Sequence, residues 1–249
     1  MNKLVTIIAI LIVLAVPAIS DPPKDSEFVF ARLQVPNRLD YLQHWDEAPW
    51  HHDYPYSDEF FLGMLRELTD VRATTTSYEI VSLSSPDIFN YPFIYFSEPG
   101  FMVLNDQEVK NLGEYIRRGG FILADDFRTA NYLHGPEEIE VLRMYLKRAL
   151  PERELVRLDI RHPIFHSFYD IDTLQMDPPY GREPGRETPG FIPQFWGMAD
   201  DRGNIQLIAN YNNDIGEFWK WVDQGKMPFR PAKRSVELGI DYVVYSMSH

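Results

Sequence analysis

Apolar runs of strand length alternate with amphipathic stretches along this chain, most clearly in its middle. Residues 93–97 and 121–125 are two such apolar runs, and each ends in acidic or turn-forming residues. Residues 105–118, which lie between them, carry apolar side chains at helical spacing. This strand–helix–strand unit predicts two neighbouring parallel strands, whose carboxyl ends form the ligand crevice of an open α/β sheet. Three acidic residues are expected at that edge: Glu98, Asp125 and Asp126.

The same patterns predict the other elements of an α/β fold. Strands are expected at residues 28–35, 79–83, 154–158, 194–198 and 205–209. Helices are expected at residues 57–68, 136–149 and 231–247. Ser57 is expected to cap the first of these helices, and Pro136 to occupy the first turn of the second. The turn at residues 200–203 predicts a hairpin, and residues 176–190, rich in Pro, Gly and charge, are typical of a surface loop.

The beginning of the chain has the pattern of a secretory signal peptide. Lys3 precedes an apolar run at residues 4–16, and small side chains at positions 18 and 20 suit cleavage before Asp21. An uncleaved anchor is the alternative, but a bilayer span needs about 20 apolar residues. We therefore expect a signal peptide at residues 1–20, followed by export to the periplasm or the exterior of a bacterial cell.

The exported part is expected to be one domain at residues 21–249, with a loop-rich insert at about 172–193. Its composition excludes several kinds of site and partner. The chain has no cysteine, which excludes disulfides, thiolate metal sites and a cysteine nucleophile. Removal of Lys3 with the signal leaves 23 basic and 37 acidic residues. Nucleic acid and anionic lipid are poor partners for such a surface. A small polar ligand or an envelope protein remains as the partner, with no membrane span after cleavage.

Several motifs together make the chain resemble a bacterial family, the "domain of unknown function 4159" family. They are Tyr-Pro-Phe-Ile-Tyr at 91–95 with Glu-Pro-Gly at 98–100, Gly-Gly-Phe at 119–121 with Asp-Asp at 125–126, His-Pro-Ile-Phe-His at 162–166, and the segments 50–58, 213–217 and 239–245. The resemblance implies a class I glutamine-amidotransferase-like fold, which is a flavodoxin-like three-layer α/β sandwich with a mainly parallel central sheet. The amidotransferases of that fold use a cysteine nucleophile, so its absence here rules out glutamine hydrolysis by that route. The family itself implies no activity.

The acidic residues at the strand ends are the first candidates for a site. Asp125 and Asp126 follow a buried strand and are expected to point to opposite sides of the sheet. They fit a metal ligand or a general base, or alternatively a pair that caps the following turn. Glu98 on the neighbouring strand favours the functional interpretation, because three converging carboxylates repel unless a cation or a shared proton lies between them. The cofactor is left unknown, with a divalent metal as one option.

Histidines supply a second set of candidates. His162 and His166 lie four residues apart, but the proline between them favours an extended turn in which His162 braces the backbone. A metal or acid–base role for His162 is the alternative. His51 and His52 precede Asp53, and because adjacent side chains diverge, at most one of these histidines is expected to join Asp53 around an ion. The alternative is an exposed loop.

Aromatic and amide side chains complete the candidates. Trp50 and Tyr54, in the loop before the first predicted helix, could form a sugar-stacking wall beside Asp53, or could simply pack that loop onto the core. Asn213 and Asp214 follow a predicted strand and could hydrogen-bond a bound polyol. Their segment lacks the ligand spacing of a twelve-residue calcium loop, so the sequence supports no calcium site there.

These candidates leave three hypotheses. The leading one is a domain that binds a polar ligand, a carbohydrate or a cell-envelope component, in an acidic and aromatic crevice at the strand carboxyl ends. Its ligand-binding residues would be Glu98, Asp126, Trp50, Asp53, Tyr54, Asn213 and Asp214. The second is a hydrolase, with or without a divalent metal, in which Asp125, Asp126 and His162 are catalytic and activate water. The third is a protein-interaction scaffold in the envelope.

Overall fold

A seven-stranded sheet is the centre of the described structure. The structure is a computed structural model, and it describes residues 27–38, 47–74, 79–127, 137–175 and 192–249. The strands are β1 (Ala31–Gln34), β2 (Glu79–Ser82), β3 (Phe93–Ser97), β4 (Phe121–Phe127), β5 (Leu155–Arg157), β6 (Gln194–Ala199) and β7 (Ile205–Tyr211). The α-helices are α1 (Tyr56–Leu68), α2 (Asp106–Arg117), α3 (Glu138–Ala149), α4 (Ile215–Trp221) and α5 (Phe229–Ser248).

The strand order is β2-β1-β3-β4-β7-β6-β5. Strands β2, β1, β3, β4 and β7 pair in parallel, and β6 runs antiparallel to both of its neighbours. The five parallel strands follow the flavodoxin-like order. The chain moves outward from β1 to β2, and then in the opposite direction from β3 to β4. The carboxyl ends of β1 and β3 therefore flank the switch point where such sheets bind ligands.

Helices cover both faces of the sheet, so the predicted three-layer α/β architecture is confirmed. Helices α2 and α3 contribute to one hydrophobic cluster, while α1, α4 and α5 contribute to the other. Strand β3 is buried along its whole length and alternates between the two clusters: Ile94 faces the first, and Phe93 and Tyr95 face the second. Burial on both faces explains its continuous apolar sequence. Phe61 and Trp219 stack at 4.2 Å between their ring centroids and join α1 to α4.

Local sequence patterns predicted several helices and strands correctly. Asn105 caps α2 by accepting hydrogen bonds from the backbone N–H groups of residues 107 and 108, and the Glu108 carboxylate accepts one from the Asn105 N–H. This capping box explains why the prediction for this helix fits the structure within one residue at each end. The β6–β7 hairpin is also confirmed, with Gly203 at φ 90° in its turn. The last predicted helix, residues 231–247, lies within α5.

Other local predictions were wrong. Ser57 does not cap α1, which begins one residue earlier; its hydroxyl instead contacts Arg32 and Asp58 inside the fold. Helix α4 was missed, because its polar beginning resembles a loop and it is only seven residues long. Residues 163–165 form a short 3-10 helix rather than an extended turn.

Some predictions fall on residues that the structure does not describe. These are the signal peptide, Pro136 and the loop at residues 176–190. Among the helices of the described residues, none has the length and apolar character that crossing a bilayer requires.

Candidate functional site

Arg32 forms the base of the candidate site. It is a fully buried residue of β1, and its guanidinium donates to both carboxylate oxygens of Asp58 on α1, at 3.0 and 2.5 Å. The two N–H groups of Nη1 donate to the backbone carbonyls of Trp50 and His52, at 3.0 and 2.8 Å. The guanidinium also lies 4.7 Å from the centroid of the Tyr95 ring. A buried charge needs this degree of pairing, and the geometry fixes residues 50–52 against the sheet.

His52, which belongs to the segment that Arg32 holds, lies among several carboxylates. His52 Nδ1 lies 2.6 Å from Asp126 Oδ2 at the end of β4. It also lies 3.8 Å from Asp53 Oδ2 and 4.0 Å from Glu98 Oε1. Asp126 is fully buried, Asp53 and Glu98 are nearly so, and the His52 side chain is 25 % exposed. The imidazole therefore forms the solvent-facing side of a buried acidic cluster. We call this group the acidic crevice and define it as His52, Asp53, Glu98, Asp126 and Asp214.

Left-handed backbone conformations concentrate at this crevice. Four non-glycine residues have positive φ: Asp53 at 64°, Glu98 at 53°, Asp126 at 56° and Asn212 at 57°. They are the positive-φ residues other than glycine in the described part of the chain, and three of them belong to the crevice. Such conformations cost free energy and persist where the surrounding structure imposes them, which is frequent at ligand sites. At Asp126 the left-handed turn ends the regular strand alternation and brings its carboxylate to His52.

Asp125 lies in the core beside the crevice and holds α4 in place. Its Oδ2 accepts hydrogen bonds from the Tyr95 hydroxyl and from the backbone N–H groups of Ile215 and Gly216, at 2.9, 3.0 and 3.0 Å. Its Oδ1 accepts from Asn210 Nδ2 at 3.1 Å. Four donors leave this carboxyl well satisfied inside the protein. The position of α4 over the crevice therefore depends on Asp125.

Helix α4 completes the crevice. Asp214 caps it by accepting from the Glu217 N–H at 2.7 Å. Lys220, three residues beyond Glu217 on the same helix, donates to Asp53 Oδ1 at 3.0 Å. Gly216 permits the close approach of this helix, because a Cβ atom there would lie 2.5 Å from the Tyr95 hydroxyl oxygen. The helix thus supplies the carboxylate of Asp214 and the ammonium group of Lys220, and it contacts the sheet closely at Gly216.

Burial and mutual repulsion change the proton affinities of these groups. Burial alone would lower the pKa of His52, but the charges of Asp126, Asp53 and Glu98 raise it to about 10, so the imidazole is protonated at neutral pH. Burial, followed by the charge of Asp126, raises the pKa of Asp125 to about 7. Burial, followed by the charge of Asp53, raises the pKa of Glu217 to about 8. Burial and the same neighbouring carboxylates hold the pKa of Asp214 well above its ordinary value. The crevice and the carboxyl groups beside it therefore hold protons at neutral pH.

Two groups of side chains in the crevice have the spacing of metal ligands. One nitrogen or oxygen atom from each of His52, Glu98 and Asp126 lies within 4.8 Å of the others, and the same holds for His52, Asp53 and Asp214. Imidazole with carboxylates suits Zn²⁺ and similar first-row ions. A metal would replace the proton on His52, since a ligating imidazole is neutral.

The structure brings together most of the residues that the sequence singled out. Glu98, Asp126, Asp53 and Asp214 form the crevice with His52, and Asp125 lies directly beside them. Trp50 and Tyr54 flank the loop that carries His52: each makes an edge contact with the His51 ring, with centroids 5.2 and 5.3 Å apart. The Asn213 side chain is buried, and its backbone pairs with Phe127.

His162 does not join the crevice. Its Nδ1 accepts a hydrogen bond from the Ile164 N–H, and its ring lies near Tyr245, whose hydroxyl accepts from the Ile205 N–H at the start of β7. The crevice lies at the other end of this seven-residue strand, roughly 20 Å away. The interpretation of His162 as a residue that braces the backbone is confirmed.

Sequence reasoning missed Arg32, Glu217 and Lys220. Arg32 occupies a polar position in a strand whose apolar and polar residues alternate, and an arginine at such a position is usually exposed to solvent. Glu217 and Lys220 lie three residues apart, a spacing that places two side chains on the same face of a helix. Because α4 was not predicted, this spacing carried no information. His52 was one of two adjacent histidines, and the sequence did not distinguish it from His51.

Comparison with known families gives a match over most of the chain. A family model described as "Domain of unknown function (DUF4159)" matches residues 38–247. This range includes every residue of the acidic crevice. Comparison with curated proteins finds no match.

Proposed function

The chain belongs to the DUF4159 family, whose description names no activity, and from the geometry of the acidic crevice we propose that it binds a small polar ligand there. The observation that carries this proposal is the contact between His52 and Asp126. The two residues come from different parts of the fold and are held 2.6 Å apart at the switch point of the sheet, with Asp126 in a left-handed conformation. The left-handed conformation of Asp126 costs free energy, and such a cost is typical of residues that a ligand uses.

The crevice selects for ligands rich in hydroxyl groups. Its carboxylates accept hydrogen bonds, and protonated His52 and Lys220 donate them, so both lone pairs and protons of a polyol find partners. Trp50 and Tyr54 are half-buried beside it and offer apolar ring surface to the face of a sugar. A polyanion would be repelled by the carboxylates. A neutral carbohydrate, or a sugar unit of the cell envelope, is the ligand class that these contacts fit best.

The proposal is tested by calorimetric titration with a panel of neutral mono- and disaccharides, using the protein from residue 21 onward. His52→Gln and Asp126→Asn are expected to weaken binding of any saturably bound sugar about tenfold or more, because each removes a charge-assisted hydrogen bond. Asp159→Asn, an exposed carboxylate on a surface turn, is the matched control and should leave binding unchanged. Saturable binding that survives both crevice variants would overturn the proposal.

A metal-assisted hydrolase is the second candidate, and the ligand-like spacing of His52, Glu98 and Asp126 favours it. A bound divalent ion would lower the pKa of a water molecule, and the neighbouring Glu217 carboxyl, with its pKa of about 8, could transfer protons near neutral pH. Elemental analysis of protein prepared without chelator tests this candidate. One equivalent of metal, lost in Asp126→Asn, would support it; no metal in either protein, even after incubation with Zn²⁺ or Mn²⁺, would eliminate it.

A further inference from the structure

We propose that the protein has a second binding site, for an amphiphile that combines an aliphatic chain with a single carboxylate group. The site is a cavity of about 1030 Å³ beside the beginning of α5. The end of β5, residues 172–175, the segment before β6 and the first turns of α5 contribute to its walls. We call it the α5 groove, and its described lining includes Arg157, Leu174, Ile192, Arg230 and Pro231. None of the five residues of the acidic crevice is among the described residues that line it.

The apolar part of the lining is aliphatic. It consists of the side chains of Ile160, Leu174, Ile192, Pro193 and Pro231. Pro231 is buried, whereas Ile192 is 64 % exposed. A single exposed isoleucine is ordinary on a protein surface, but Ile192 belongs to a concave surface that several aliphatic side chains share. No aromatic ring of the described residues lines the groove, so an alkyl chain is the apolar group that fits it.

The polar part of the lining carries more positive than negative charge. Its charged residues are four cations and two acids: Arg157, Arg230, Lys233, Arg234, Asp172 and Glu237. Both acids are already paired, Asp172 with Arg234 and Glu237 with Lys233 and Arg234. Arg157 and Arg230 are exposed, and neither has an ion-pair partner in the described structure. These two guanidinium groups are therefore accessible to an acidic ligand.

The beginning of α5 strengthens this positive field. The helix has 20 residues, and its N-cap residue, Pro228, makes no side-chain hydrogen bond to the first N–H groups. Acidic residues are favourable in the first turn of a helix, but this turn has none and contains Arg230 instead. The partial positive charge of the helix start therefore adds to that of the arginines, and a carboxylate in the groove would offset both.

The two kinds of lining occur in one cavity, and together they select the ligand. A neutral alkyl chain would leave Arg157 and Arg230 without a partner, and a small anion would gain nothing from the aliphatic surface. A carboxylate with an alkyl chain uses both. Its charged end binds guanidinium groups through paired hydrogen bonds, and each buried methylene group raises the affinity about fourfold. A straight-chain fatty acid is the simplest ligand of this class.

Calorimetric titration of the protein with decanoate, below the concentration at which micelles form, tests the proposal. Two further probes lack one of its parts: 1-decanol lacks the charge, and butyrate lacks the long chain. We expect saturable binding of decanoate, binding of 1-decanol that is about tenfold weaker, and no saturable binding of butyrate.

Variants of the lining assign the binding to the groove. Arg157→Gln and Arg230→Gln should each weaken decanoate binding about three- to tenfold and leave 1-decanol binding unchanged, because only the carboxylate pairs with arginine. Ile192→Ser should weaken the binding of both probes, because it removes aliphatic surface. All three residues are exposed, so these variants are expected to fold.

Arg148→Gln is the control. Arg148 lies on α3, on the opposite face of the sheet, and pairs with Asp106, so this variant should bind decanoate like the unmodified protein. No saturable decanoate binding, or an unchanged decanoate affinity in all three groove variants, would overturn the proposal. Sedimentation of the ligand-free protein tests a different occupant: a dimer that Ile192→Ser dissociates would assign the groove to a second copy of the chain and would overturn the proposal too.

Discussion

His52 Nδ1 and Asp126 Oδ2 lie 2.6 Å apart although 74 residues separate them in the chain. This contact joins the loop before α1 to the end of β4 across the switch point of the sheet. It depends on two supports: Arg32 fixes the backbone of the loop from below, and a left-handed conformation turns Asp126 toward it. The crevice is therefore a product of several long-range interactions, and each of them can be removed separately.

The first prediction concerns His52 and pH. Its pKa is raised from 6.5 to about 10 by the surrounding carboxylates, so the folded state binds this proton more tightly than the unfolded state. The resulting stabilisation is fully present below about pH 6.5 and is lost as the pH rises through about 10. The stability advantage of the unmodified protein over His52→Gln should therefore shrink by about 1–3 kcal/mol between these pH values.

Urea unfolding at the two pH values measures this change. His51→Gln is the matched control, because His51 pairs with the surface residue Glu47 and its side chain is 39 % exposed. Its effect on the free energy of unfolding should stay within about 0.5 kcal/mol. A His52→Gln penalty that is the same at both pH values would contradict the assignment of a protonated imidazole.

The second prediction concerns the buried pair of Arg32 and Asp58. Arg32→Met should lower the free energy of unfolding by about 3–5 kcal/mol, because it leaves the Asp58 carboxylate buried without its partner. Replacing both residues, as Arg32→Met with Asp58→Leu, should cost less than the sum of the two single changes. Denaturant unfolding of the four proteins gives this comparison.

An exposed ion pair provides the reference for Arg32. Arg148 pairs with Asp106, whose side chain is 98 % exposed, and Arg148→Gln should cost less than about 1 kcal/mol. If Arg32→Met were as mild as Arg148→Gln, the role of Arg32 as the base of the site would be wrong.

The third prediction concerns Asp125. Asp125→Asn should destabilise the protein by about 1–3 kcal/mol near pH 5, because the amide places two N–H groups among the four donors that face this position, whereas the protonated carboxyl places only one O–H there. Burial raises the pKa of Asp125 from 3.8 to about 7, so the stabilisation from its proton is present below about pH 3.8 and is lost as the pH rises through about 7. The difference between the two proteins should accordingly be smaller at pH 8 than at pH 5.

Thermal unfolding at the two pH values tests this, with Asp159→Asn as the surface control that should show almost no difference at either. A penalty for Asp125→Asn that is the same at pH 5 and pH 8 would show that the carboxyl is ionised throughout this range, and would contradict the prediction.

The fourth prediction compares two glycines. Gly216→Ala places a Cβ atom 2.5 Å from the Tyr95 hydroxyl oxygen and 3.5 Å from carboxylate oxygens of Asp53 and Asp214. The hydroxyl must then move away from Asp125, and the change should cost about 1–3 kcal/mol and weaken ligand binding in the crevice. Gly63→Ala, in the middle of α1 with nothing within 4 Å, should instead stabilise by about 0.5–1 kcal/mol. Chemical unfolding of both variants measures the contrast, and equal effects would refute the tight packing of α4.

Sequence determined the parts of this protein that depend on local or repetitive signals. The capping residues Asn105 and Glu108 fixed the start of α2, because their bonds close within three residues. Apolar runs with both faces buried identified β3 and β4, and the rule that ligands bind at strand carboxyl ends placed Glu98 and Asp126 together without any long-range information. His162 braces its own backbone, and this too could be predicted from its neighbours.

Only the tertiary structure decided which of these residues form a site. Arg32 looks like a surface residue in its strand, and its burial depends on Asp58 and on two loop carbonyls that become its neighbours on folding. His52 reaches the crevice because Arg32 holds its loop against the sheet. Lys220 reaches it on α4, which packs on α1 through the stacked rings of Phe61 and Trp219. The physical reason is that local patterns report hydrogen bonds and apolar faces over a few residues. The charges and proton affinities of the crevice arise only when residues distant in the chain are brought within a few ångströms.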